Sequence, residues 1–178
     1  LGAIDGTDLD VVVGGLGLGY TARAVLADRR VRSVEVVEAL DAVIDWQHRR
    51  LLPGSAELVE DHRCHLVHGD FFALVAAGRP FRISGPARHH AIVVDIDHTP
   101  THVLHPSHAA FYSAEGLGRI RDRLHPGGVF ALWSDRPDDE FLTVAQQVFD
   151  TCDAHEVRFP NHHTGGEGSN IVYVAGTG

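Results

Sequence analysis

The stretch that decides the fold is Asp10-Val11-Val12-Val13-Gly14-Gly15-Leu16-Gly17-Leu18-Gly19-Tyr20-Thr21-Ala22. A run of β-branched residues ends in glycines at alternate positions and then passes into a helix-forming segment, which is the order strand, tight loop, helix N-terminus. Glycine lets the main chain turn with positive φ and lets a ligand come close to it, and the first N–H groups of a helix have no intrahelical partner. The stretch therefore predicts a nucleotide-binding loop.

The composition fits one globular domain of 178 residues, of which 44% are hydrophobic and 22% are charged. The formal net charge is −9, and all 15 positive residues are arginine because the sequence contains no lysine. An acidic chain without a basic run is a poor match for a phosphate backbone, so we expect no nucleic-acid partner. The lack of lysine also excludes a Walker-A phosphate loop and a pyridoxal Schiff base.

Cysteine usage and hydropathy bear on the compartment. Cys64 and Cys152 lie far apart in predicted regular elements, which argues against a disulfide framework and against a cysteine zinc site. We expect Cys64 to be a core residue and the protein to be cytoplasmic. No apolar run approaches the roughly 18 residues of a membrane span, so we expect no membrane partner. The chain begins at Leu1 and has no methionine, so we expect a fragment of a longer protein.

Strand and helix patterns alternate along the chain. Five segments are predicted strands, at residues 10–13, 34–38, 62–68, 91–94 and 129–133, and a helical pattern follows each of them. The helix before the fifth strand has Leu117, Ile120 and Leu124 on one face. Two last strands, 155–159 and 170–175, follow without an intervening helix, which predicts an antiparallel pair at the sheet edge.

This alternation predicts an α/β fold with a doubly wound, mostly parallel, Rossmann-like sheet and an antiparallel C-terminal edge pair. We see no interior linker and expect residues 1–178 to form a single nucleotide-binding catalytic domain. Ligands of such sheets bind beyond the carboxyl ends of the strands. The site of this protein should therefore be built from the residues that follow each predicted strand.

Those residues include a glycine loop and several acids. They are Gly15, Gly17 and Gly19 after the first strand, Glu38 after the second, Asp70 after the third, and Asp95 with Asp97 after the fourth. A carboxylate after the second strand can accept hydrogen bonds from both ribose hydroxyls, and one after the third can accept from an adenine amino group. A helix N-cap is the alternative role for Asp70, and a turn-forming role is the alternative for Asp97.

The glycine spacing distinguishes between nucleotides. The dinucleotide fingerprint has its third glycine three positions after the second, and that position after Gly17 is Tyr20. The alternating run Gly15-Leu16-Gly17-Leu18-Gly19 instead resembles the first motif of the S-adenosylmethionine-dependent transferases. We therefore expect an adenosyl ligand on a methyltransferase-type fold.

Within that superfamily the chain resembles the nucleotide-binding domain of the spermidine synthases, the polyamine aminopropyltransferases, over about residues 10–175. The segments that carry the resemblance are Val13-Gly14-Gly15, Val36-Val37-Glu38-Ala39-Leu40, His68-Gly69-Asp70-Phe71-Phe72, Val94-Asp95, Phe111-Tyr112-Ser113 and Leu124-His125-Pro126-Gly127-Gly128-Val129. The resemblance implies a transferase of polyamine biosynthesis, with S-adenosylmethionine or its decarboxylated form as co-substrate. The residues that it implies for binding are the loop glycines, Glu38, Ala39, Leu40, Asp70 and Phe71, with Asp95 at the reacting centre.

Some features depart from the spermidine synthases. These enzymes carry an Asp in the glycine loop that holds the aminopropyl ammonium, and Gly17 stands at the aligned position. Their strand-four motif is Asp-Ser-Ser/Thr-Asp-Pro, whereas this chain has Asp95-Ile96-Asp97-His98-Thr99-Pro100. We also expect this chain to lack the family's N-terminal β-module, which covers the diamine site. Many methyltransferases place an acid two residues before the first loop glycine, but here that residue is Val13, as in the aminopropyltransferases.

The reaction sets what the site must supply. An amine attacks a sulfonium-bound carbon in line, so the protein must hold both partners in attack geometry and deliver the amine unprotonated. Alkylammonium groups have a pKa of about 10 by analogy with lysine, so a carboxylate that attracts the cation and relays its proton suits the reaction. Asp95 is the candidate for this catalytic role. Asp97, on the same face if the strand continues, is the candidate to bind the donor's ammonium.

Histidines are common near the proposed site, where His98, His102, His105 and His108 fall within one short segment. Imidazoles at such spacing can converge on zinc or nickel, but no cysteine or acidic ligand motif accompanies them and prolines interrupt any single helix. We therefore expect no metal. We expect the His162-His163 pair to be a solvated surface.

Three functions remain open from the sequence. The first is aminopropyl transfer to a small-molecule amine by a spermidine synthase-like enzyme. The second is methyl transfer on the same fold, favoured by the lack of an acid at Gly17. The third is a nucleoside-binding relative without catalysis. Relatives often form homodimers, although no feature of this sequence demands one.

Overall fold

The computed structural model describes residues 1–160 and 165–178. The strands are β1 (Leu9–Gly14), β2 (Val31–Glu38), β3 (Cys64–His68), β4 (His89–Val94), β5 (Leu124–Ser134), β6 (Thr151–Pro160) and β7 (Glu167–Gly176). The helices are α1 (Tyr20–Leu26), α2 (Asp41–His48), α3 (Ser55–Val59), α4 (Phe71–Ala76), α5 (Ala114–Arg121) and α6 (Asp139–Val148), with a 3₁₀ helix at Pro106–Tyr112.

All seven strands form one sheet in the order β3-β2-β1-β4-β5-β7-β6. The first five strands of this order run parallel, and β7 pairs antiparallel with both β5 and β6. The prediction of a doubly wound, mostly parallel sheet with an antiparallel C-terminal pair at its edge is confirmed. The chain leaves β1 for β2 and β3 on one side and returns to β4 on the other, so β1 and β4 flank the topological switch point where ligands of such sheets bind.

Two hydrophobic cores cover the two faces of the sheet. Val11 and Val13 of β1 pack into one core with α1, α2 and α3, whereas Val12 packs into the other with α4, α5 and α6. All three valines are fully buried. Successive side chains of a strand point to opposite faces, so a continuous apolar run is what a central strand covered on both faces requires.

The start of β5 differs from the prediction. Leu124 does not lie on the face of a helix, because α5 ends at Arg121 and Leu124 is the first residue of β5. Leu124 pairs with His89, and the next pair along the ladder is Val129 with Ala91. The register shift has a local cause, since Pro126 has no N–H to donate and Gly127 has a φ of 73°.

Two short elements were not predicted. They are α3, of five residues, and the 3₁₀ helix that begins at Pro106. Elements of one or two turns have too few residues to show a hydrophobic period. No helix in the described part of the chain is long and apolar enough to cross a membrane.

Candidate functional site

The glycine loop packs against the end of β4. Gly15 has a φ of 94°, and a Cβ at this position would collide with the carbonyl oxygen of Asp95. The Asp95 N–H in turn donates to the Gly14 carbonyl at 2.8 Å. Both the positive φ and the close contact exclude a side chain. The loop that follows β1 is therefore fixed directly beside the residue that follows β4.

Glu38 ends β2 and holds the same loop from the other side. Its Oε2 accepts hydrogen bonds from the Leu16 N–H at 3.1 Å and the Gly17 N–H at 3.5 Å, and its Oε1 accepts one from the Leu40 N–H at 2.8 Å. Gln47 of α2, which is fully buried, supports the loop by donating to the Gly17 carbonyl at 3.2 Å. Two carboxylate oxygens offer about four lone-pair sites, so Glu38 keeps acceptor capacity for a ligand.

Asp70 is the N-cap of α4. Its Oδ1 accepts from the Ala73 N–H at 3.0 Å, which is the capping role that the sequence left open. The side chain is exposed and also lines the cleft described below. One oxygen is thus used by the helix, and the other is available to a ligand.

Asp95 follows β4 and is exposed. Its Oδ2 accepts from the Thr21 hydroxyl at 2.8 Å, which ties it to the first turn of α1. Because α1 follows the glycine loop, this hydrogen bond fixes the carboxylate relative to the loop.

A cleft of about 300 Å³ lies between these groups at the carboxyl edge of the parallel strands. Eight predicted site residues line it, namely Gly15, Gly17, Glu38, Ala39, Leu40, Asp70, Phe71 and Asp95. The other seven lining residues are not among the predicted site residues; they are Val37, Val43, Gly69, Phe72, Ile96, Leu104 and His108. The cleft combines apolar walls, main-chain donors and three carboxylates, which is the make-up of a site for a small polar ligand.

Solved structures with the same architecture include enzymes of two kinds. A spermidine synthase in complex with the transition-state analogue AdoDATO matches with a TM-score of 0.71 and 19% identity, over 97% of this chain and 54% of that one. The spermidine synthase of Thermotoga maritima matches with a TM-score of 0.72 and 18% identity, over the same shares. Human methyltransferase-like protein 13 in complex with SAH matches with a TM-score of 0.67 and 18% identity, over 96% of this chain and 72% of that one.

The fold is that of spermidine synthases and S-adenosylmethionine-dependent methyltransferases. This confirms the predicted spermidine synthase-like, methyltransferase-type fold. The chain spans about half the length of the spermidine synthases that it matches. No family model and no curated protein matches it.

Two of the site residues predicted from the sequence do not line the cleft; they are Gly19 and Asp97. Gly19 is the N-cap of α1, and a Cβ there would collide with Leu58. Asp97 is 2% exposed, and β4 ends at Val94, so the strand does not continue to it as its predicted role requires. Three donors take up the Asp97 carboxylate, so the structure does not place it as a ligand for the donor's ammonium.

The three donors to Asp97 all come from the segment after β4. They are the Leu104 N–H at 2.7 Å, the Tyr112 hydroxyl at 2.8 Å and the His108 Nδ1 at 2.9 Å. Burial raises the pKa of Tyr112, and the carboxylate of Asp97 raises it further. Tyr112 therefore stays protonated and can act only as a donor to Asp97.

The predicted histidine segment does not form a metal cluster. In residues 1–160 and 165–178, no three or more His, Cys, Asp or Glu side chains are arranged to hold a metal ion. His98, His102 and His105 are exposed, whereas the ring of His108 stacks on Phe72 with 4.0 Å between centroids. The His162-His163 pair lies outside the described residues.

Neither cysteine belongs to the cleft. Cys64 is partly buried on β3, and Cys152 is buried on β6. Burial raises the pKa of each thiol to about 11. Both side chains are therefore protonated at neutral pH and unsuited to act as thiolate nucleophiles.

A larger depression of about 670 Å³ lies between α4, the segment after it and the end of α5. It is lined by apolar residues together with Arg119, Asp122 and Arg123. The depression is remote from the carboxyl edge of the strands and from the glycine loop. The smaller cleft, where loop and carboxylates converge, is therefore the candidate site.

Proposed function

We propose that the protein is a transferase that binds an adenosyl sulfonium donor in the 300 Å³ cleft and transfers an alkyl group from it to a small-molecule amine. The observation that carries the proposal is the convergence of the glycine loop, Glu38, Asp70 and Asp95 on this one cleft. S-adenosylmethionine and its decarboxylated form share the adenosyl sulfonium, so both fit this part of the proposal.

The proposed binding roles follow from the contacts of each residue. Glu38 accepts hydrogen bonds from the ribose hydroxyls with its remaining lone pairs, and the free oxygen of Asp70 accepts from the adenine amino group. Leu40 and Phe71, which line the cleft, supply apolar surface to the base. The buried Gln47 and the Leu16 N–H keep the loop in place before the ligand arrives.

Asp95 is proposed to act at the reacting centre. The bound donor supplies an electrophilic carbon and a thioether leaving group. Asp95 attracts the cationic acceptor amine and orients it toward that carbon, while the Thr21 hydroxyl holds the carboxylate in position. Loss of this orientation should lower turnover more than it lowers nucleoside binding.

Aminopropyl transfer is the first candidate for the group moved. The buried Val13, in place of the acid found in many methyltransferases, and the resemblance of the strand-end motifs to spermidine synthases favour it. Methyl transfer is the second candidate, and a specific observation favours it. Gly17 provides no carboxylate for an aminopropyl ammonium, and Asp97 is buried and already accepts from three donors of the protein.

Calorimetric titration of S-adenosylmethionine, its decarboxylated form and methylthioadenosine tests the proposal and separates the two candidates. A site for the bare aminopropyl ammonium should bind the decarboxylated donor at least about tenfold more tightly, because a buried carboxylate without a partner costs about 1.4 kcal/mol or more. The reverse preference supports methyl transfer. Mass spectrometry of products formed with a diamine then gives the mass added.

The outcomes of these titrations are distinct. If none of the three ligands binds, the proposed function is wrong. Binding of an adenosyl ligand without turnover on any amine supports a nucleoside-binding relative without catalysis. A homodimer, a cytoplasmic location and a lack of nucleic-acid partners stay predictions from the sequence.

A further inference from the structure

His108 lies in the wall of the cleft and is held there from two sides. Its ring stacks on Phe72 with 4.0 Å between centroids and 28° between planes, and its Nδ1 lies 2.9 Å from Asp97 Oδ1. The side chain of His108 is 13% exposed, whereas that of Asp97 is 1% exposed. The ring is therefore fixed in orientation and still reachable from the cleft.

The contact with Asp97 determines which ring nitrogen carries the proton. An ionised carboxylate only accepts hydrogen bonds, so the neutral imidazole must carry its proton on Nδ1. Nε2 then presents a lone pair. Within the described residues, Nε2 has no hydrogen-bond partner and is not among the buried unpaired atoms, so it remains accessible, on a side chain that lines the cleft.

We propose that His108 Nε2 is the base that takes the proton of the acceptor amine and that Asp97 is the positioning residue that holds its tautomer. This inference rests on the proposed transferase function. The acceptor ammonium gives one proton to Nε2, from which it passes to water, and the lone pair freed on the nitrogen forms a new N–C bond while the C–S bond breaks and leaves its electron pair on sulfur. The product nitrogen carries the positive charge and leaves as an ammonium.

An imidazole suits this proton transfer better than the carboxylate of Asp95. General base catalysis is most effective when the base titrates near the working pH, as an imidazole does and an ordinary carboxylate does not. Asp95 Oδ2 already accepts from Thr21. The two residues then have different roles, because Asp95 attracts and orients the cationic acceptor and His108 removes its proton.

Charged and titratable groups surround His108 on its own 3₁₀ helix, behind its ring and across the cleft. Asp97 lies behind the ring, and the ring of His105 lies 5.9 Å away by centroids on the same 3₁₀ helix. Tyr112 donates to the other oxygen of Asp97. Glu38, Asp70 and Asp95 line the cleft that His108 also lines. These surroundings are mostly acidic and favour binding of a cationic acceptor.

A first test needs no turnover. Long-range nitrogen–proton NMR correlation on the full chain with labelled histidine, in mildly alkaline buffer, identifies the protonated nitrogen of each neutral ring. The His108→Asn variant assigns the signal of His108 by its disappearance. We expect Nδ1 of His108 to be protonated and Nε2 to be bare. A proton on Nε2 would overturn the proposal.

The second test uses a variant that keeps the contact with Asp97. In His108→Asn the side-chain amide can still donate to Asp97, but nothing replaces Nε2. We expect turnover to fall by about 10² or more, as is typical for loss of a general base, with methylthioadenosine binding within about threefold of wild type. His102→Asn, on the exposed part of the same segment, is the matched control and should leave both unchanged.

Added imidazole distinguishes a base from a structural residue. We expect imidazole to restore part of the lost turnover of His108→Ala, because the ring would enter the space beside Phe72. We also expect the pH profile of turnover to differ between His108→Asn and the wild type. Wild-type turnover in His108→Asn, or no rescue of His108→Ala together with an unchanged pH profile, would overturn this proposal alone. Failure of the wild-type protein to bind any adenosyl ligand would overturn the proposed function itself.

Discussion

Gly15 is the loop residue with the least freedom to vary. Its φ of 94° is strained for any residue with a side chain, and a Cβ would collide with the backbone of Asp95. Gly17 also has a positive φ, of 46°, but nothing lies within 4 Å of a Cβ built there. The two glycines therefore separate the effect of backbone strain from the effect of a collision.

Gly15→Ala should abolish ligand binding in the cleft, whereas Gly17→Ala should only lower the affinity. A collision with main chain forces the loop and the end of β4 apart, whereas a positive φ alone costs about 1–2 kcal/mol. We expect methylthioadenosine affinity to fall by more than about 100-fold in Gly15→Ala and by about tenfold or less in Gly17→Ala. Calorimetry measures both, and equal losses would contradict the close contact with Asp95.

Asp70→Asn separates the two roles of Asp70. Asparagine is as good an N-cap as aspartate, so α4 should keep its cap and the unfolding free energy should change by less than about 0.5 kcal/mol. With its carbonyl used by the cap, the amide group would turn donors toward the adenine amino group. We expect adenosyl affinity to drop at least about tenfold. Unchanged affinity in a stable variant would show that Asp70 is only a cap.

The sequence predicts some residues of the site well and others not at all. Glu38, Asp70 and Asp95 each lie at the end of a parallel strand or within two residues of it, so the order of the strands alone brings them to one edge. The pairing of His108 with Asp97 depends on the path of the ten residues between them, which have no hydrophobic period. A local pattern could not show that these two side chains meet.

At the scale of elements, the segment between α4 and β4 is anchored by a buried acid. Glu35 of β2 is 1% exposed and receives Arg82 Nε at 3.2 Å. His89 Nε2 lies 3.4 Å from its other oxygen. A Cβ on Gly85 would collide with the same carboxylate. This segment is therefore closed over Glu35 and held by one direct ion pair.

Arg82→Met should destabilise the protein. It would leave the buried charge of Glu35 with His89 alone, and removal of one partner from a buried ion pair costs about 3–5 kcal/mol. Because Arg82 is about one-third exposed, we expect the lower end of that range. Urea unfolding measures the change, with the exposed Arg79→Met as the control. A similar small change in both variants would contradict the anchoring role of Glu35.

The irregular start of β5 should make stability depend on pH. Burial lowers the pKa of His125, and the nearby ring of His90 lowers it further. Below the unfolded pKa of about 6.5, the unfolded chain binds more protons than the native state, so stability falls as the pH falls toward the native pKa. Denaturation midpoints measured on either side of this pH should differ less in His125→Gln than in wild type. The variant His155→Gln, at an exposed position, should keep the full difference between the two midpoints. The same difference in the wild type and both variants would contradict this account.

The strand β5 also shows why element boundaries are hard to predict. Helical spacing relates three buried residues, Leu117, Ile120 and Leu124. The first two lie on α5, but Leu124 is the first residue of β5. Burial alone does not distinguish a helix from a strand at the position where one passes into the other. The bulge at Pro126 and Gly127 lets β5 begin earlier than a regular ladder would.

At the scale of the whole molecule, the sequence predicts the architecture of the sheet but not the order of its two C-terminal strands. The sequence predicted the antiparallel pair, but not which of its strands pairs with β5. The buried residues Ile171, Tyr173 and Ala175 place β7 inside the sheet, whereas β6 buries only Cys152 and forms the edge. The apolar run of β7 carried this signal, because Val172 and Val174 on its other face are also partly buried, whereas an edge strand tolerates charge.

The fold positions the cleft through the topological switch between β1 and β4. The loop after β1, the acids after β2 and β3, and Asp95 after β4 meet there because four neighbouring strands run in the same direction. The central claim is that this meeting point binds an adenosyl group, whichever group is transferred.

Titration of methylthioadenosine into the wild-type protein and into Glu38→Gln tests that claim most directly, because this ligand carries the adenosyl thioether common to both donors. We predict saturable binding of one molecule per chain, weakened by at least about tenfold in Glu38→Gln, since glutamine offers one acceptor oxygen instead of two. The absence of binding to the wild-type protein, or the same affinity in both proteins, would contradict it.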